Sequence, residues 1–195
     1  MIRLGGIACI RRARNRNRMK KYIESERIFL RPVLVDDIDA IYSYRSLEEV
    51  AKYQYWEPYT RDKAVEFVNQ CINQDLQQRE EWIGLMITSQ KNNNIVGDCA
   101  IKVTDNYAEV GCNISPLHQK KGYAKEALAL LIDYFFQTTE IKEIIGITDS
   151  ENKASIRMME SLGMKRCADF EEKVLCKGLW SIEHKYVFHR SDFRN

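Results

Sequence analysis

The chain has 195 residues, 45% of them apolar, enough for one domain with a sizeable core. No run of about 18 apolar residues occurs, which excludes a helical membrane span, and the six cysteines (Cys9, Cys71, Cys99, Cys112, Cys167, Cys176) contain no C-x-x-C pair of the kind that marks a zinc site or a disulfide framework. They read as reduced thiols in the core of a cytoplasmic protein, and with three histidines in all no metal chemistry is expected.

The formal charge is +2, but Arg3, Arg11, Arg12, Arg14, Arg16 and Arg18 stand in the first 18 residues without an acid among them, which leaves −4 for the remainder. An arginine-rich, acid-free segment suits nucleic-acid binding or resembles an organellar targeting sequence. It has too few apolar residues for an amphipathic helix, and a charged stretch follows Met19 at once; both features argue against those roles. We read residues 1–18 as a basic extension, disordered or not native, ahead of a single domain over residues 19–195 that starts at Met19.

Ile28 to Val33 is a short apolar run closed by a proline at position 32, which suits an edge strand. Asp36 is placed to cap a helix carrying Ile38, Ile41 and Tyr44 or Arg45 at helical spacing. Leu47 to Ala51 reads as a short helical piece, followed by the aromatic segment Tyr53, Tyr55, Trp56 and Tyr59. Thr60 can cap the next helix, whose stripe Ala64, Val65, Val68, Cys71, Ile72 and Leu76 runs to about Arg79. From Trp82 the period becomes two, Ile83, Leu85 and Ile87 alternating with Trp82, Gly84 and Met86, as in a half-buried strand. Turns at Lys91 to Asn94 and at Asp105-Asn106 bound two further strands, Ile95 to Val103 and Tyr107 to Ile114, which complete an antiparallel meander. Ala124, Ala127, Leu128, Leu131, Tyr134 and Phe135 mark an amphipathic helix. A strand from Glu143 to Thr148, a helix from Asn152 to Leu162 closed by Gly163, and strands Met164 to Phe170 and Glu183 to His189 around a turn at Lys177-Gly178 finish the chain. The order predicts an α/β (α+β) fold: a single mixed, mostly antiparallel sheet flanked by helices.

The segment Gln119-Lys120-Lys121-Gly122-Tyr123-Ala124 lies directly between a strand and a long helix. Its glycine lets the backbone pass close to a ligand, and the first amides of the helix have no internal partner. That makes a cradle for a diphosphate, with Lys120, Lys121 and Lys125 adding charge. The plainer alternative is a turn before a solvated helix start.

These residues resemble the GCN5-related N-acetyltransferase (GNAT) superfamily, whose cofactor loop reads Gln or Arg, two residues, Gly, one residue, Gly or Ala; Gln119, Gly122 and Ala124 satisfy it. The flanking sequence is similar to the ribosomal-protein N-terminal (alanine/serine) acetyltransferase branch. Ala108-Glu109-Val110-Gly111-Cys112 stands for its A-E-I-G-Y strand, and Asn152, Ser155, Glu160, Gly163 and Met164 match N-x-x-S-x-x-x-x-E-x-x-G and the apolar residue after it. Glu26 to Pro32 and Glu57 to Thr60 fit as well, so the resemblance covers about residues 26–190. It implies the acyl-CoA N-acyltransferase fold, acetyl-CoA as co-substrate and transfer of an acetyl group to a primary amine.

Such a transfer needs a proton taken from the ammonium, a donor for the carbonyl oxygen and an outlet for the thiolate. Alternation puts Glu109 on the strand face opposite Ala108, Val110 and Cys112, and by resemblance Glu109 is the base; an exposed acid on an amphipathic strand is the alternative. Family geometry makes the Ile114 N–H a donor to the thioester carbonyl. Asn152 is an N-cap by position and by resemblance also binds the pantetheine arm, with Ser155 near the sulfur. Many relatives carry a tyrosine acid four residues after that serine, where this chain has Met159. Ile114, Gln119, Lys120, Lys121, Gly122, Tyr123, Ala124, Lys125, Asn152 and Ser155 are thus the expected cofactor contacts. Glu109 and Ser155 are the catalytic candidates, and Tyr55, Trp56 and Glu109 border the acceptor. A simple carboxylate base suits an α-amine of pKa near 7.7 to 8 better than a lysine amine near 10.4. A protein or peptide N-terminus is therefore the leading acceptor, a polyamine or aminoglycoside the alternative, and a non-catalytic acyl-CoA-binding module the alternative of another class. No membrane or nucleic-acid partner is expected, and the chain is read as a monomer or homodimer.

Overall fold

The structure, a computed structural model, describes residues 22–193. The expectation for residues 1–18, and Cys9 with it, lies outside the described residues. In chain order the elements are β1 (Ile23–Glu24), β2 (Ile28–Pro32), α1 (Ile38–Arg45), α2 (Glu48–Ala51), α3 (Arg61–Cys71), β3 (Trp82–Ser89), β4 (Ile95–Val103), β5 (Tyr107–Ile114), α4 (Tyr123–Thr138), β6 (Glu143–Asp149), α5 (Lys153–Ser161), β7 (Lys165–Cys176) and β8 (Leu179–His189). The strands form one sheet in the order β1-β2-β3-β4-β5-β6-β8-β7. Every neighbouring pair is antiparallel except β5 with β6.

Helices cover both faces. Leu128, Leu131 and Phe135 of α4 pack with Leu85, Ile87, Cys99, Ile101 and Val110 of the sheet, whereas Ile41, Ala64, Val68 and Cys71 of α1 and α3 surround Met86 on the other side. The two-sided cover corrects the expectation for β3: all of it after Trp82 is buried, because Gly84 and Met86 meet α3 while Ile83, Leu85 and Ile87 meet α4. Its near-continuous apolar run is the signature of a strand covered on both faces.

Four local expectations change. Asp37, not Asp36, anchors the entry to α1: it accepts the Leu34 N–H at 2.8 Å and pairs with Arg31 at 2.6 and 2.7 Å in a buried bidentate contact. Thr60 caps α3 through the Lys63 N–H, but the helix stops at Cys71, since Asp75 and Gln78 build a turn of their own from side-chain bonds to Gln77 N and Asp75 N. A short strand, β1, precedes the first predicted one. The last two strands run to a tip at Lys177-Gly178 and form a longer hairpin than the sequence suggested. The five described cysteines are free; burial raises Cys71 to about 11 and Cys112 to about 12, and raises Cys99 as well, so these thiols stay protonated near neutrality. No described helix is long and apolar enough to cross a membrane.

Two packing details hold the site-forming elements in place. A Cβ on Gly146 of β6 would stand 2.6 Å from Met159 Sδ, so the glycine is what lets α5 lie close on β6. At the C-terminal end of α4, Arg190 donates to the carbonyls of Ile141 (2.7 Å), Phe136 (2.6 Å) and Thr139 (2.5 Å), which takes up carbonyls that the helix end leaves unpaired. Arg190→Met, of similar length but unable to donate, is expected to cost about 2 kcal/mol, a fall in Tm of about 6 °C by thermal denaturation.

Candidate active site

β5 and β6 begin as a parallel pair, Tyr107 to Glu109 beside Glu143 to Ile145. Their pairing stops there, although β5 stays on β4 as far as Ile114 and β6 stays on β8 as far as Asp149. The two strands therefore part into a wedge in the middle of the sheet. Bonds from Thr104 N to Tyr107 O (2.9 Å) and from Ser115 N to Val96 O (3.0 Å) fix the phase of the β4–β5 ladder. Alternation then gives β4 the backbone bonds of Glu109, Gly111 and Asn113 and turns the N–H groups of Cys112 and Ile114 toward the wedge.

At the mouth of the wedge the chain runs from Ile114 through a short 3-10 turn into α4. Gly122 is the N-cap, at φ 82°, and Lys120 also has positive φ, 60°. Left-handed residues in such a turn aim successive N–H groups into one concavity, a shape that suits an anion at the positive end of the helix. Gln119 donates its side-chain amide to the Ile114 carbonyl at 3.1 Å, tying the loop to the end of β5. Lys121 bonds the Leu117 carbonyl at 2.8 Å, so its ammonium folds back on its own loop, while Lys120 and Lys125 are exposed. Tyr123 and Ala124 are half-buried in the first turn of α4. Arg27, which the sequence reading left without a role, reaches this loop from the β1–β2 turn. It donates to the Lys121 carbonyl at 3.1 Å and pairs with Glu126, and its guanidinium stands 5.2 Å from the Tyr123 ring centre.

Across the wedge, the Asn152 side chain caps α5 by accepting the Ser155 N–H at 3.1 Å. Ser155 is half-buried one turn along, and Met159, where a tyrosine stands in many relatives, is buried against β6. The loop and the Ile114 N–H thus follow the end of β5, and the Asn152–Ser155 turn follows the end of β6, the two strands that part at the wedge.

The face turned away from α4 and α5 carries different chemistry. Register places Glu109, Asp149 and Glu183 on it, together with Glu172, which pairs with Glu183. Glu109 is half-buried and its carboxyl is pushed above the ordinary glutamate range, mainly by burial and further by Glu183, against the opposing pull of Lys102. Tyr55 donates its hydroxyl to Glu183. Two more contacts fasten the end of α2 and the same loop to the β7–β8 tip, Lys177 to the Ala51 carbonyl at 2.7 Å and the Cys176 thiol to the Gln54 carbonyl at 3.6 Å. The loop after α2 therefore roofs this side of the wedge. Lys185 shares the face, with its ammonium 5.0 Å from the Phe170 ring centre. Of the two aromatic residues expected here, Tyr55 meets the acidic face, whereas Trp56 turns inward onto Tyr59 and Arg45.

Arg45 belongs to a buried network that periodicity could not reveal. It pairs with Asp98 of β4 at 2.6 and 3.1 Å and donates to the Tyr59 hydroxyl at 2.8 Å; Tyr44 (2.5 Å) and Asn113 (3.1 Å) also donate to Asp98. Because Asn113 lies on β5 beside the wedge, the network pins α1 and the aromatic loop to the strand that carries Glu109.

Comparison with known proteins agrees with this geometry. The family model described as an acetyltransferase (GNAT) domain matches residues 27–165. The N-acetyltransferase p20 of Bacillus licheniformis is 30% identical over 145 residues, 73% of this chain and 81% of the relative. The crystal structure of a GNAT-family acetyltransferase from Bacillus anthracis superposes with a TM-score of 0.78 at 25% identity, covering 87% of this chain and 98% of that one. The spermidine N-acetyltransferase of Vibrio cholerae, solved in complex with CoA and spermine, superposes with a TM-score of 0.72 at 20% identity over 88% of this chain and all of that one.

Proposed function

The chain belongs to the GNAT acetyltransferase family and is an N-acetyltransferase, and from that premise we propose that it moves the acetyl group of acetyl-CoA onto a primary amine of a small polycation. The observation that carries the acceptor class is the shared face of Glu109, Asp149 and Glu183, which the strand register sets and on which Tyr55 meets Glu183. A cluster of carboxylates at the mouth of a cleft concentrates cationic substrates, and an aromatic wall adds a cation–π surface. The V. cholerae enzyme of the same fold, with spermine bound, supports this choice.

In this reading the amides of Lys121 to Ala124 and the charges of Lys120 and Lys125 hold the diphosphate of acetyl-CoA, while Asn152 offers its side-chain N–H to the pantetheine arm. Acetyl-CoA supplies an activated acyl group with a thiolate leaving group. The Ile114 N–H donates to the carbonyl oxygen as charge builds there. Glu109, whose raised carboxyl makes it a better base than an ordinary glutamate, takes the ammonium proton directly or through one water. Ser155 stands near the departing sulfur; a thiol pKa of about 8.5 means little help is needed there.

The motifs at Ala108 to Cys112 and Asn152 to Met164, which resemble the ribosomal-protein branch, keep a peptide α-amine as the second reading. Kinetics of Glu183→Gln separate the two. A polycation that uses the second carboxylate predicts a KM for spermidine raised about 10-fold, with kcat within about twofold, and a peptide KM that scarcely moves. An unchanged spermidine KM excludes Glu183 from acceptor binding and returns the peptide to first place.

A further inference from the structure

A carboxylate in the first turn of α4 is out of place beside a site for a dianion. Glu126 stands there, one turn into the helix, and its two oxygens are both engaged from the β1–β2 turn about a hundred residues away: Ser25 Oγ donates to one at 2.6 Å and Arg27 pairs with the other. Arg27 does more than offset that charge. Its Nη1 holds the Lys121 carbonyl at 3.1 Å, and in a trans peptide the N–H points opposite to the C=O. The Gly122 N–H is thereby aimed away from the β1–β2 turn. This peptide is one that needs holding, because it joins a loop with positive φ at Lys120 and Gly122, where the backbone has alternatives. The guanidinium closes over the loop, with Nη2 3.5 Å from where a Gly122 Cβ would stand.

We propose that Arg27 is a positioning residue for the anion loop: it draws Glu126 away from the diphosphate site and locks the 121–122 peptide so that the Gly122 amide faces the ligand. The inference rests on the acetyl-CoA reading above, and it predicts an effect confined to ligands that carry the diphosphate. Calorimetric titration of wild type and Arg27→Ala with CoA and with pantetheine, which lacks the nucleotide and diphosphate, tests it. The expected result is a Kd for CoA raised about 10-fold with the Kd for pantetheine unchanged, and a KM for acetyl-CoA raised in parallel at constant kcat. In an E126Q background the same substitution should cost about threefold or less, since the charge to be offset is gone.

Arg27→Gln, which keeps a donor for the Lys121 carbonyl without the charge, serves as a second variant and is expected to fall between the two. Equal weakening toward CoA and pantetheine, or no weakening toward CoA in either variant, overturns the proposal. Wild-type protein that binds neither ligand removes the acetyl-CoA reading itself.

Discussion

Glu109→Gln lowers kcat by about 10²-fold or more and leaves the affinity for CoA where it was. The residue sits where β5 and β6 cease to pair, on the face opposite α4 and α5, so in the proposed mechanism its loss removes a proton acceptor without disturbing the anion loop. The pH dependence follows from the direction of its shift. Burial raises the Glu109 carboxyl, and the base works only when ionised, so kcat/KM climbs with pH through a pKa above the ordinary glutamate value. Glu109→Gln abolishes that limb and leaves only the dependence set by the acceptor amine.

The same shift fixes the sign of the stability effect. A carboxyl whose folded pKa is raised contributes stability fully below its unfolded pKa, and that contribution is lost as pH rises through the folded pKa. At neutral pH the glutamine variant therefore has a Tm equal to or above wild type. A lower Tm, with CoA affinity and turnover falling together, assigns Glu109 a structural role.

Asp98→Ala has the largest expected effect on the fold. Asp98 is 2% exposed and receives hydrogen bonds from Tyr44, Arg45 and Asn113. Its removal strands the Arg45 guanidinium, 5% exposed, among Trp56, Tyr59 and Phe67 with no counter-charge. Removing one partner of a buried pair costs about 3–5 kcal/mol, a drop in Tm of about 10 °C in a domain of this size. Because the network joins α1 to both strands on one side of the wedge, the acceptor KM rises in the same variant even below its Tm. An Asp98→Ala protein with wild-type Tm contradicts the idea that this pair braces the site.

How much of this was legible depends on the range of the information. The bounds of β4 and β5, the N-cap at Asn152, the stripe of α4 and the Gln119 to Ala124 loop are local patterns, and the sequence carried them because period and capping act over a few residues. Period two from Trp82 predicts one solvent face for β3, but it cannot tell a solvent face from a second buried one, and Gly84 and Met86 are buried against α3. The residues that complete the site were hidden for another reason. Arg27 meets Glu126, Arg45 meets Asp98 and Tyr55 meets Glu183 across 99, 53 and 128 positions of chain, contacts set by strand order and register. Only the charged residues themselves, without their partners, were visible beforehand. The acceptor proposed above differs from the peptide expected from sequence for that reason: Glu183 lies in a terminal strand, and only the strand order and register set it on the face that carries Glu109.

Thiol release from acetyl-CoA by the purified protein, measured across spermidine, spermine, aminoglycosides and short peptides with free N-termini, tests the central claim most directly. The account predicts turnover with polyamines at a kcat/KM well above that for any peptide, falling as ionic strength rises because the attraction is between charges. Turnover with peptides alone, or none with any amine despite tight binding of acetyl-CoA, contradicts it.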